Sequence, residues 1–150
     1  MSSKAVQVDA FSAKLIERWE KSGQKLEALG AAFPESKYEE KPGHELKSFG
    51  EVLRHVAFWN QYVADTVRGK KADDSVNELP KEKYGTKAKI LGGLKESVAE
   101  AAEALREKRG GLDVEAAELV ASFIEHTSEH YGQLVVYTRR AGIVPPASRG

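Results

Sequence analysis

Apolar residues recur every three or four positions along four stretches of the chain, with charged residues between them. Each stretch predicts an amphipathic helix. The first runs roughly from Asp9 to Phe33, where Phe11, Leu15, Trp19, Leu26, Leu29 and Phe33 form the stripe and Pro34 follows. The second starts at Ser48-Phe49-Gly50-Glu51. This is a capping box, in which the serine hydroxyl accepts from the N3 amide and the glutamate reaches back. Phe49, Val52, Leu53, Val56, Val63 and Val67 continue the stripe, which closes near Gly69. The third runs roughly from Thr86 to Arg109, with Ile90, Leu91, Leu94, Val98 and Leu105 on one side. Gly92 and Gly93 weaken it by about 1 kcal/mol each relative to alanine, and Gly110-Gly111 ends it. Asp113 is a good N-cap for the fourth, which reaches Ala141. Gly142 suits the C′ position, and Pro145-Pro146 forbid continuation.

The polar segments PESKYEEKPGHELK and GKKADDSVNELPKEKYG separate these helices. There is no strand pattern and no internal repeat. The natural packing is an all-α four-helix bundle with long inter-helix loops, as one domain over residues 1–150. Sixteen extended residues reach about 50 Å, whereas a helix of about 22 residues is about 33 Å long. The loops can therefore run the length of the bundle, and simple up-down-up-down order is not required.

Charge is balanced, with 23 basic and 23 acidic residues. No basic stripe interleaved with aromatics is present, so nucleic acid is not an expected partner. No apolar run approaches a membrane span, and the opening MSSKAVQVDAFSAK has no apolar signal core. A cytoplasmic protein that does not enter membranes is expected. The chain contains no cysteine. Any metal must be held by His, Asp or Glu, and any thiol chemistry needs a thiol from outside.

Two of the four histidines, His126 and His130, lie in EHTSEHYGQ. On a helix this spacing stacks both imidazoles on one face, one turn apart. With His126 at zero on the helical wheel, His130 falls at about 40° and the apolar stripe centres near about 110°. Both histidines thus sit on the shoulder of the core. His55 does the same on the second helix, with Val52 and Trp59 flanking it on the core side. Three imidazoles on two helices can meet around one ion and leave coordination positions open. A histidine beside a core stripe serves as readily as a packed, hydrogen-bonded residue, so spacing alone leaves both readings open. His44 lies in a Pro-Gly loop and is given no role. The run also matches H-x-x-E-H, a peptidase pattern. No acidic residue follows His130 to complete the ligands, and Glu129 points about 60–100° away from the histidines. The peptidase reading is rejected.

The histidine in LRHVAFWN followed by HTSEHYGQLVVYTRRAGIVPP resembles the DinB/YfiT-like group of metalloenzymes. Their pattern is a His in the second helix, H-x-x-x-H-x-G-Q in the fourth, and an ending close to R-x-x-G-x-x-P-P. The resemblance implies a four-helix bundle holding a divalent ion, often zinc or nickel, through His55, His126 and His130. It also accounts for Gly132 inside the fourth helix. Some relatives transfer low-molecular-weight thiols or use them in isomerisation. The family position after the last ligand is often arginine, but here it is Tyr131.

Three functions of different classes follow. The first is an enzyme that activates a small thiol for transfer to an electrophile, with Gln133, Tyr137, Trp59 and Arg140 placed to orient substrate. The second is a hydrolase activating water on the same ion, for which Glu51 is the one carboxylate candidate, although its place in the capping box competes. The third is a non-catalytic metal-binding or stress-related interaction protein. A homodimer is expected, because closed two-fold pairs are the commonest oligomers and family members often pair.

Overall fold

A computed structural model describes residues 9–150. Four helices account for the architecture: α1 (Ala10–Ala32), α2 (Phe49–Val67), α3 (Lys87–Arg106) and α4 (Val114–Arg140). Short 3₁₀ turns follow at Glu35–Lys37 and Pro146–Ser148. The starts obey the capping chemistry. Asp9, Ser48, Thr86 and Asp113 each accept a backbone N–H from the first turn, and the Ser48–Glu51 box is complete in both directions. α4 ends in a Schellman motif. Gly142, at φ +78°, donates to Arg139, and Ile143 donates to Thr138. No helix is long and apolar enough to cross a membrane among the described residues.

α1 packs on α3 and α4, and α2 packs on the same two helices, so consecutive helices α1/α2 and α3/α4 lie across diagonals. Directions follow from the cross-links. Ser12 meets Leu112 and Gly30 meets Leu91, so α1 and α3 are antiparallel. Asn60 meets Ser97 and Arg68 meets Glu107, so α2 and α3 run parallel. Lys47 meets Tyr137 and Trp59 meets Phe123, so α2 and α4 are antiparallel. The order is up-down-down-up. A parallel α2/α3 pair forces the loop of residues 68–86 to return along the whole of α2, about 28 Å.

That return loop changes what surrounds α2. The pattern of apolar positions predicts one buried side, yet every residue from Val52 to Phe58 is buried, Arg54 and His55 included. The loop covers what would otherwise be the solvent face. A second difference lies at the start of α1. Phe11, expected in the core stripe, is 67% exposed. Ser12 and Ile16 take the inward positions instead, because Ser12 turns in to bond Asp9 and the Leu112 amide. The third helix also stops at Arg106, earlier than Arg109.

Two glycines show opposite requirements. A Cβ at Gly23 would lie 2.5 Å from Val98 Cγ2, so this glycine allows α1 and α3 to approach. A Cβ at Gly132 would meet nothing within 4 Å. Gly23→Ala is expected to destabilise, because overpacking of about 1–3 kcal/mol outweighs the helix-propensity gain. Gly132→Ala is expected to stabilise by about 0.5–1 kcal/mol. Thermal melts of the two variants should move in opposite directions.

Candidate metal centre

His55 from α2 and His126 and His130 from α4 converge at the α2/α4 interface, each offering a ring nitrogen within 4.8 Å of the others'. Their ring centroids lie 4.6–4.9 Å apart. His55 is buried and the other two are half-buried. The four-residue spacing on α4 supplies the pair, and the antiparallel packing of α2 supplies the third.

On His55 and His130 the ring nitrogens that face away from the cluster are fixed by acceptors that cannot donate. His55 Nδ1 lies 2.7 Å from the Asn77 carbonyl. A carbonyl only accepts, so Nδ1 carries the proton and Nε2 keeps its lone pair. The same logic runs through α4. Tyr137 donates its hydroxyl to the Lys47 carbonyl at 2.9 Å. The phenol oxygen therefore accepts from Gln133 Nε2, at 2.9 Å. That turns Gln133 Oε1 toward His130 Nδ1, at 2.9 Å, so this nitrogen too must donate. Both outward-facing nitrogens are thus protonated, and both Nε2 atoms are free to bind a cation. His55 Nε2 and His126 Nε2 stand 3.0 Å apart. Two nitrogens on one tetrahedral zinc-sized ion are separated by roughly 3.3 Å. His126 Nδ1 is buried and has no partner.

Burial lowers the pKa of His55, with the neighbouring His130 and Lys47 adding to the effect against the Asn77 hydrogen bond. Burial, then His130 and His55, brings His126 down to about 4. Neutral imidazoles converging on one point are the donor set a divalent cation requires. Without a cation, the same shifts predict an acid-sensitive fold. The unfolded chain takes up protons near the ordinary histidine value of about 6.5, while folded His126 resists protonation down to about 4. Stability should therefore be full above that ordinary value and should fall as pH drops toward the folded one. The metal-free protein should melt lower at pH 5 than at pH 7, and His126→Gln should reduce the difference.

An aromatic wall adjoins the histidines. Trp59 faces Phe123 at 6.0 Å with rings 19° apart, Tyr62 closes on both, and Phe123 meets His126 edge-on at 5.7 Å. Trp59 donates to Asn77 Oδ1 at 2.9 Å.

The other candidates fall as follows. Gln133 and Tyr137 have their polar atoms engaged with each other, His130 and Lys47. Arg140 reaches the Pro42 carbonyl at the end of the bundle. Glu51 is held by the capping box, with Ser48 N donating to it at 2.6 Å. Glu129 is exposed on α4. Two residues that the pattern of the sequence did not mark are Asn77 and Arg54. Asn77 acts through its carbonyl, which carries no side-chain signature. Arg54 is 1% exposed and bridges Glu39 and Glu78. An arginine inside the run VLRHVAF, next to His55, was the available signal for it.

No curated protein matches the chain. The profile of the DinB superfamily matches residues 18–134. The matched span runs from within α1 to Leu134 in α4 and takes in all three histidines. The chain therefore belongs to the DinB superfamily.

Proposed function

We propose that the protein is a divalent-metal-dependent enzyme that presents a small-molecule thiol to an electrophile. The observation that carries this reading is the convergence of three imidazoles, two of which, His55 and His130, already have their far nitrogens committed as donors. Imidazole ligands suit zinc or nickel. An ion bound through neutral ligands keeps its positive charge and an open position, where it lowers the pKa of a thiol or water. The chain's own residues do the rest. His55, His126 and His130 hold the ion, while Gln133 and Tyr137 hold His130. Trp59, Tyr62 and Phe123 offer an apolar face on which the electrophile docks away from water. In the transfer itself the thiol proton goes to solvent, the sulfur pair forms the new C–S bond, and the leaving group departs with its bonding pair. The absence of cysteine means no protein thiol competes for the ion.

The hydrolase reading uses the same ion and needs a positioned carboxylate base. Glu51 is committed to the capping box, and Glu78 to Arg54, which favours the thiol. A closed homodimer is part of the proposal. Sedimentation at micromolar concentration showing only a 16.5 kDa species would end that part.

The test is conjugation of monochlorobimane with bacillithiol, glutathione or mycothiol. The metal-loaded protein should accelerate it with at least one thiol, and His126→Ala or His130→Ala should remove the acceleration. If the loaded protein is no faster than these variants with every thiol, the transferase reading fails and the hydrolase or non-catalytic reading moves ahead.

A further inference from the structure

We infer that Trp59 and Asn77 are positioning residues for His55, and that the loop of residues 68–86 is an arm of the metal centre rather than a connector. The inference rests on the metal reading above and adds the residues that set the geometry of its α2 ligand.

Besides the Tyr84 carbonyl on Arg54, three consecutive residues of the loop clasp α2. Asn77 gives its carbonyl to His55 Nδ1 at 2.7 Å. Glu78 takes Arg54 Nε at 3.3 Å. Leu79 donates its N–H to the Arg54 carbonyl at 3.2 Å and buries its side chain. Asn77 and the residues before it, 73–76, are exposed, so beyond the Glu78 and Leu79 bonds little fixes where the Asn77 carbonyl points. Its side chain supplies the missing constraint: Oδ1 accepts from Trp59 Nε1 at 2.9 Å. Trp59 lies four residues after His55, one turn along the same helical face. Asn77 is thereby held at two points, one ring above the other. Its carbonyl stays in line with His55 Nδ1, and the tautomer with Nε2 bare is the one populated. The indole N–H acts on the ion only through Asn77 and His55.

Removing a hydrogen bond behind a metal-bound histidine typically weakens metal affinity by about 10–100-fold. Glu78 and Leu79 still hold the loop when the Trp59 bond is lost, so an effect of about 10-fold is expected. The variants are Trp59→Phe, which keeps a ring and removes the donor, and Asn77→Ala, which keeps the carbonyl and removes Oδ1. Asn77→Asp restores an acceptor and is the rescue.

Two measurements decide. Nitrogen-15 NMR of the metal-free protein reads the His55 tautomer. Competition with a chelator reads the zinc dissociation constant, with far-UV circular dichroism confirming the fold of each variant. The wild type and Asn77→Asp should hold His55 in the Nδ1–H form, whereas Trp59→Phe and Asn77→Ala should give a mixture. Zinc affinity should fall in the two disrupted variants, and the double variant should be no worse than either alone. An unchanged tautomer and unchanged affinity in both would overturn the inference. A wild type that binds no zinc or nickel would overturn the metal reading, and the tautomer measurement would still decide the role of Trp59 and Asn77.

Discussion

Purified protein should carry one divalent ion per chain, and changing His55, His126 or His130 to alanine should abolish stoichiometric binding. The three nitrogens come from two helices and are held jointly, so losing one leaves two ligands that an ion organises poorly. The expected loss exceeds about 100-fold, the upper end of what changes behind a ligand produce. His44→Ala is the control, because that histidine is exposed in the loop of residues 33–48. Elemental analysis after dialysis against a mild chelator is the measurement. If His55→Ala keeps its ion, the triad is wrong. Ion binding should also raise the melting temperature of the wild type in proportion to the logarithm of ion concentration over its dissociation constant, and the alanine variants should lose that dependence.

The second large effect is expected at Arg54. Its guanidinium is 1% exposed and makes a two-pronged bond to Glu39, at 2.8 and 3.2 Å, with further bonds to Glu78 and the Tyr84 carbonyl. One side chain thus ties both long loops to α2, one residue before His55. Arg54→Ala removes the cation and leaves two carboxylates behind. Breaking a buried ion pair costs about 3–5 kcal/mol. The carboxylates are about one-third exposed and can rehydrate, so the lower figure of about 3 kcal/mol applies. For a chain of this size that is a fall of about 6–12 °C in melting temperature. Arg54→Lys should recover little, because a lysine cannot bond Glu39 through two parallel N–H groups. A melting temperature within about 2 °C of wild type for Arg54→Ala would show that the loops hold without it.

The helices were legible because stripe, caps and breakers agreed. The Ser48 box, the Asp113 cap and the Gly142 terminus each stand where the residues indicated. The gathering of His55, His126 and His130 was legible too, because each lies on the shoulder of an apolar stripe, where facing helices meet. What escaped was the consequence of topology. A helical wheel of α2 shows one core side, and only the parallel α2/α3 pair explains why a loop buries the other. Arg54 and Asn77 take their roles from the loops: Asn77 acts through a carbonyl with no side-chain signature, and Arg54 offered only its place inside the apolar run VLRHVAF. Phe11 failed for a local reason: the Asp9–Ser12 bond turns the first turn of α1 so that Ser12 faces in.

The distribution of the ligands along the chain also sets an order in time. His55 and His126 are 71 residues apart. At about 5–20 residues per second, a ribosome takes about 4–14 s to make the intervening chain. In that interval α2 and α3 can pair and the Asn77 clasp can close around a lone imidazole, a weak ligand by itself. The H-x-x-x-H pair emerges on the last helix, when most of the core already exists to receive it. A chain cut short before α4 therefore carries only one of the three imidazoles, and tight metal uptake is expected only after α4 has been made.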